Sequence, residues 1–306
     1  AEGMPMRRIR LRERRSTRVF FGSKRISPWL VIRLARTSAA LMNSLTMVAM
    51  ATPATLSFNP ATSSTLRMIL TTPLNFRPVH TMAAVNAGKH VFAEKGVAVD
   101  APGVRLMMEA SRIAAEKKLS IVCGTQRRHQ RGYLLQKKAL DEGVLSPILG
   151  GEVYWNSRVP WVRERTPEMS NKDYLCNNWL NFTELSGDHI CEQHVHNIDV
   201  ANWFIGRFPK TALAFGGRMR RVSGNQYDFF SADLDYGEGV HIHSMCRQIS
   251  DCKNDVREFF RTANETIAGG QIAKKVGGKK IELAGDFADV NPYVQEHVDL
   301  LKSMLG

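Results

Sequence analysis

Between residues 68 and 123 the apolar positions fall into short runs separated by stretches of helical spacing. Residues 68–70 (Met-Ile-Leu) form an apolar strand, stopped by Thr71-Thr72-Pro73. Over residues 79–87 small and apolar side chains recur at helical spacing, and Gly88 supplies a C-terminal cap. Residues 90–93 read as a second strand and 119–123 as a third. Between them, 102–118 is an amphipathic helix with Pro102 near its start, where a missing N–H is harmless. Strand, helix, strand, helix, strand implies a parallel sheet with crossovers.

After Gly124 the pattern changes. Residues 133–142 predict a helix ending at Gly143, and 151–156 a strand. A loop-like segment bearing Arg and Trp runs to Trp179. One helix is expected over 189–205, stopped by Gly206, then strands near 210–216, 227–236 and 239–247. Several strands after a helix suggest a mixed or antiparallel sheet with a helix on one face.

Charge changes the picture at the N-terminus only. The chain carries a formal +13, but residues 1–67 hold 12 Lys+Arg against two acids, a net of +10, leaving +3 for the rest. Aromatic residues do not interleave with the basic ones in the way a single-strand platform needs, so a nucleic-acid partner is not expected. Residues 41–66 are uncharged but broken by Pro53, Pro60 and many hydroxyls, which argues against a membrane span. The Arg-rich start is too long for a secretory signal, and Arg14-Arg15 lacks twin-arginine flanks. A cytoplasmic location is favoured, with export of an intact parent left open. Five cysteines without a repeated spacing suggest neither a disulfide framework nor a zinc ribbon.

Four ordered stretches carry a family likeness. They are Thr71-Thr72-Pro73 followed by His80; Ala87-Gly88-Lys89-His90-Val91-Phe92-Ala93-Glu94-Lys95; Gly124-Thr125-Gln126-Arg127-Arg128 with Tyr133; and Gly187-Asp188 through Asp199. Through them residues 68–250 resemble the Gfo/Idh/MocA family, the glucose–fructose oxidoreductase and inositol dehydrogenase group. The resemblance implies an α/β plus α+β architecture. A Rossmann-like parallel-sheet domain (68–124, incomplete) would precede a substrate-binding domain (125–306) of open mixed or antiparallel sheet with helices on one face. It also implies NAD or NADP as cofactor, a sugar or cyclitol as substrate, and a homo-oligomer formed through the second sheet.

Three departures from the family pattern stand out. Residues 1–67 show neither the opening strand nor the GxGxxG turn whose glycines let the backbone approach a pyrophosphate. The expectation is that this segment is read out of frame before about Met68. The family's Glu-Lys-Pro is Glu94-Lys95-Gly96 here, which should loosen the loop holding the lysine. The family usually also runs on beyond residues 291–297, so its last elements are expected to be missing.

Oxidising a secondary alcohol needs a base for the hydroxyl proton while hydride leaves the same carbon. The resemblance places Lys95 as that base; without it, Lys95 reads as a solvated lysine after a strand. Glu192, His196 and Asp199 stand at i, i+4 and i+7, on one face of the expected helix. His196 has the ordinary range for proton transfer. Glu192 would orient it or meet a sugar hydroxyl, and Asp199 would fix its tautomer or serve structure. The candidate catalytic residues are therefore Lys95, His196 and Glu192. Cofactor contacts are expected from Thr72, Pro73, His80, Glu94, Lys95, Gln126 and Arg127. Substrate contacts are expected from Arg128, Trp155, Asn156, Trp161, His194 and Asp199. His189, Glu192, His194 and His196, with His241 and His243, suggest a metal set, but His194 and His196 diverge on a helix and no metal is expected. His241 and His243 are expected to line the sheet face toward the cleft or to pack there. The implied activity is NAD(P)-dependent oxidation or reduction of a sugar or cyclitol alcohol. The alternatives are an NAD-dependent glycosidase working by transient oxidation and elimination, and an inactive fragment without a working cofactor site.

Overall fold

The structure, a computed structural model, describes residues 46–49 and 67–305 of the 306-residue chain. The first sheet has four parallel strands in chain order: β1 (Thr46–Ala49), β2 (Arg67–Leu70), β3 (His90–Ala93) and β4 (Ile121–Cys123). Helix α1 (Arg77–Asn86) joins β2 to β3, and α2 (Ala101–Glu116) joins β3 to β4. At the start of α2 the Asp100 side chain accepts a hydrogen bond from the Gly103 N–H at 2.7 Å.

Both faces of this sheet are covered. Met68, Leu70, Val91 and Ala93 pack on Ala84 and Val85 of α1 and on Met107 and Ala114 of α2. Ile69 and Phe92 point the other way and meet Leu300 of α8 (Pro292–Leu305), the last described helix. Burial on both sides is why these strands read as unbroken apolar runs. It also explains one correction. No strand was expected in residues 1–67, yet Thr46–Ala49 forms β1, paired in register from Thr46 with Arg67 to Ala49 with Leu70. A parallel strand need not alternate, so Thr-Met-Val-Ala carries no period-two signal. The out-of-frame expectation otherwise falls on residues outside those described.

The second sheet has eight strands in the order β12-β11-β10-β9-β5-β8-β7-β6. They are β5 (Ile148–Ser157), β6 (Thr211–Gly217), β7 (Phe229–Asp235), β8 (His241–Gln248), β9 (Asp255–Thr262), β10 (Glu265–Ala268), β11 (Ile272–Lys275) and β12 (Lys280–Ile281). β5 and β8 run parallel, and every other pairing is antiparallel, giving the mixed sheet expected. Helices α3 (Arg131–Asp141) and α7 (Val195–Ile205) cover one face. Tyr133, Val200, Ala201 and Phe204 pack there on Val153, Leu234, Ile242 and Phe260. On β8, Ile242 and Ser244 point to the helices while His241 and His243 point to the exposed face. Of the two expectations for these histidines, lining the cleft is corrected, while His243 packs edge-on against Tyr154 at 5.8 Å. The period of two puts them opposite Ile242, and His241 bonds Asp233 at 2.9 Å instead.

Two further readings change. The loop-like segment contains α4 (Asn171–Asn177), capped by Ser170, whose hydroxyl accepts from the Asp173 N–H at 3.1 Å. The single helix over 189–205 is α6 (Asp188–Glu192) followed by α7, after the short α5 (Thr183–Ser186). The His189 carbonyl accepts from both Gln193 and His194 N–H groups at 3.0 Å, and α7 starts afresh from His194.

Candidate active site

The cofactor-side candidates leave the C-terminal ends of parallel strands, except His80, which stands in α1. Thr72 and Pro73 follow β2, Glu94 and Lys95 follow β3, and Gln126 and Arg127 follow β4. In an open parallel sheet that edge is where ligands bind. Thr72 and Pro73 are buried, and the Thr72 hydroxyl lies 3.3 Å from Nδ1 of buried His80. One Glu94 carboxylate oxygen accepts from the Lys95 N–H at 3.1 Å and crowds Gly124, where a Cβ would stand 2.8 Å from it. Gln126 donates to the Tyr293 hydroxyl of α8 at 3.2 Å, which brings the last helix to the same edge.

Lys95 and Glu192 meet across 97 residues of chain. The Lys95 ammonium donates to the Glu192 backbone carbonyl at 2.5 Å and forms an ion pair with its carboxylate. Both are largely withdrawn from solvent, with side-chain exposures of 15% and 6%. His196 lies close by, its ring stacked on Trp155 at 5.6 Å and 25°. Burial, then the Lys95 and Arg127 charges, push its imidazole down to about 2. His196 is thus neutral across the working range. That neutral state departs from the expectation that it titrates near its ordinary value.

Arg127 anchors the other side. Its guanidinium pairs with Glu258 of β9 and lies 5.7 Å from the Trp155 ring and 5.9 Å from the Tyr133 ring. The Tyr133 hydroxyl and the Asn197 amide donate to the same carboxylate at 2.8 and 2.7 Å. Glu258, Arg127, Trp155 and His196 therefore form one continuous stack ending beside Lys95.

The expected substrate contacts do not gather in one place. Trp155 stands on β5 beside His196, while buried Asn156 follows it with its side chain on the opposite phase of the strand, its amide oxygen without a partner among the described residues. Arg128 and Asp199 bind each other through two 2.8 Å hydrogen bonds, joining the entry of the second sheet domain to α7. Trp161 is exposed on the loop after β5, donating to the Asn177 carbonyl at 3.4 Å. His194 is the clear correction: it is fully buried and its Nε2 lies 2.7 Å from the Ser244 hydroxyl. It therefore ties the helix break to β8 and presents no surface to a ligand. Burial pushes it down to about 3.

The Gly96 expectation also changes. Arg77, at the first position of α1, donates to the carbonyls of Glu94 (3.0 Å), Lys95 and Gly96 (2.7 Å). A Cβ at Gly96 would stand 2.8 Å from a Leu74 methyl and 3.0 Å from the Cys191 carbonyl. Close packing, not looseness, is what glycine permits here. Arg77 and Glu258 were missed in sequence, though each leaves a trace. An arginine in the first turn runs against the helix dipole, so it needs acceptors elsewhere. Glu258 shares the inward phase of β9 with Phe260 and Thr262, and an inward charge demands a partner.

The strand-end residues are polar, with Glu94 and Gln126 flanking Lys95, a lining that suits the nicotinamide end of a dinucleotide. The phosphate side is different: no glycine occurs between Gly22 and Gly88, so β1 is not followed by a glycine turn. Among the described residues no group of three or more His, Cys, Asp or Glu side chains converges on a metal position. No described helix is long and apolar enough to cross a membrane.

No family model matches the chain. It is 30% identical over 171 residues to the scyllo-inositol 2-dehydrogenase (NADP(+)) of Bacillus subtilis, covering 56% of this chain and 43% of that protein. Inositol 2-dehydrogenase of Salmonella typhimurium is 29% identical over 163 residues, covering 53% and 41%. The 2,7-anhydro-N-acetylneuraminate hydratase of Escherichia coli is 25% identical over 175 residues, covering 56% and 43%. The chain thus spans less than half the length of the curated relatives it matches. Among solved structures, aldose-aldose oxidoreductase from Caulobacter crescentus has a similar fold, with TM-score 0.66, 17% identity and coverage of 85% and 81%. The WlbA dehydrogenase from Bordetella pertussis, in complex with NADH and UDP-GlcNAcA, gives TM-score 0.60 at 18% identity, covering 80% and 70%. The chain's homologues are inositol 2-dehydrogenases and other Gfo/Idh/MocA-type oxidoreductases, at modest identity over about half its length, and its fold is theirs.

Proposed function

We propose that this chain carries the catalytic cleft of an NAD(P)-dependent oxidoreductase acting on a secondary alcohol of a sugar or cyclitol. The observation that carries the reading is the Lys95–Glu192 pair at the edge of the parallel sheet, with neutral His196 beside it. In the oxidative direction the substrate hydroxyl gives its proton to Lys95 as Lys95 releases one to the Glu192 carboxylate. Hydride leaves the same carbon, so the alcohol loses one hydride and one proton, two electrons and two protons in all, and one carbonyl forms. A bound nicotinamide would supply the hydride acceptor at that position. His196, fixed by Trp155, orients a neighbouring hydroxyl without changing its own charge. Arg128 with Asp199 closes the far side of the cleft.

A second reading is favoured by the hydratase among the relatives. Transient oxidation acidifies the adjacent C–H, so the same base and hydride acceptor would drive elimination or addition of water, or glycoside cleavage, without net redox change. The two separate in one assay. Net reduction of NAD or NADP by scyllo-inositol, myo-inositol or free aldoses supports the first. Release of the aglycone from aryl glycosides with no net nicotinamide reduction supports the second. Absence of nicotinamide binding by fluorescence or calorimetry overturns both and leaves the inactive-fragment alternative.

A further inference from the structure

Arg77 is almost completely buried, at 3% exposure. Burial, against the opposing influence of the Glu94 and Glu192 carboxylates, lowers its affinity for a proton to about 10. Taking a guanidinium out of water is costly unless its donors are all used well. Its hydrogen bonds go to three consecutive carbonyls, those of Glu94, Lys95 and Gly96, all from one terminal nitrogen, while its Nε finds no partner among the described residues. A surface lysine loop needs no such anchor.

We propose that Arg77 is a positioning residue for Lys95. The assignment rests on the reading of Lys95 as the base. The guanidinium gathers the backbone of residues 94–96 around one donor group, fixing the direction in which the Lys95 side chain leaves the loop. On the far side Leu74 and the Cys191 carbonyl close on Gly96, leaving the loop no room to shift toward α6. Cys191 is also the residue before Glu192, and its thiol donates to the Ala98 carbonyl at 3.2 Å. The Lys95 loop and the Glu192 segment are thus locked together at two places besides the ion pair. α1 places the guanidinium: Pro78 follows Arg77 in the first turn, presetting the helix start from which the side chain reaches the loop. A misplacement of about 1 Å at a catalytic group costs on the order of a hundredfold in rate. Arg77 therefore acts on turnover without touching substrate.

Arg77→Met and Arg77→Lys test this in the full chain. Amide hydrogen exchange of the peptide spanning residues 93–98 is expected to quicken at least about tenfold in Arg77→Met, with exchange elsewhere in the parallel sheet unchanged. On a substrate that wild type turns over, kcat is expected to fall about tenfold to a hundredfold while KM and NADH affinity stay within about twofold. Arg77→Lys, which keeps a charge and donors, is expected to recover part of both losses. Unchanged exchange at 93–98, or faster exchange with wild-type kcat, overturns the proposal. Should Arg77→Met fail to fold, the comparison of Arg77→Lys with wild type decides on the same two readouts. If wild type itself shows no turnover, the functional reading fails, while the exchange comparison still decides whether Arg77 holds the loop.

Discussion

Replacing Glu296 by Gln should remove a large pH-dependent cost from the folded state. Glu296 lies on α8, 1% exposed, with one carboxylate oxygen unpartnered among the described residues. Burial, and then the Glu94 charge, raise its pKa to about 8. In the unfolded chain the group returns to about 4.3. Between these values the folded protein holds a proton that the unfolded chain has released, so stability falls as pH rises. The stability is fully present below about pH 4 and is lost as pH climbs to about 8. Each unit is worth about 1.4 kcal/mol, so the window from pH 5 to 8 spans about 4 kcal/mol. Glutamine keeps the size and neutrality of the protonated acid and has no titration. The assay is urea unfolding of both proteins at several pH values across that window. The stability difference, Glu296→Gln minus wild type, is expected to grow by about 4 kcal/mol from pH 5 to 8. A difference that does not change with pH would refute the reasoning, because it would mean Glu296 is already ionised in the fold.

Three other expectations follow from the site. The His196 ring resonances should not titrate between pH 5 and 9 by NMR, since burial and two nearby cations hold it neutral; a midpoint near 6.5 would contradict that placement. Tyr133→Phe should cost about 1–3 kcal/mol in urea unfolding by taking one donor from the buried Glu258 carboxylate, and a neutral result would show the network does not need it. Because no glycine turn follows β1, NADH and reduced nicotinamide mononucleotide should bind within about tenfold of each other. A preference for NADH of about a thousandfold by fluorescence titration would show a full pyrophosphate cradle.

Much of this arrangement was legible from residue order. The β3 strand, the start of α2 at Pro102 and the Lys95 motif all follow from local patterns that packing reinforces. Strand β9 was not legible, because its inward positions alternate Glu258 with Phe260 and Thr262, and a buried carboxylate spoils a hydrophobic count. The break between α6 and α7 was hidden for a different reason. Gln193 and His194 are acceptable helix residues, and what interrupts the helix is the pull of Ser244 on His194 and of Lys95 on Glu192, both tertiary. Spacing put Glu192 and His196 on one helix face. The fold brings them to one cleft from two helices, and sends Asp199 to Arg128 instead. The exposed direction of His241 and His243 depends on the register of β8, which no local pattern fixes.

Lys95→Met tests the central claim most directly. Its side chain keeps the aliphatic bulk and removes the ammonium that Glu192 holds. Nicotinamide reduction would be followed for wild type and variant on a panel of inositols and aldoses, with NADH binding measured in parallel. Wild type is expected to turn over at least one of these alcohols, and Lys95→Met to lose about a thousandfold in kcat while still binding NADH. Equal turnover by the two proteins would contradict the assignment of Lys95 as the base.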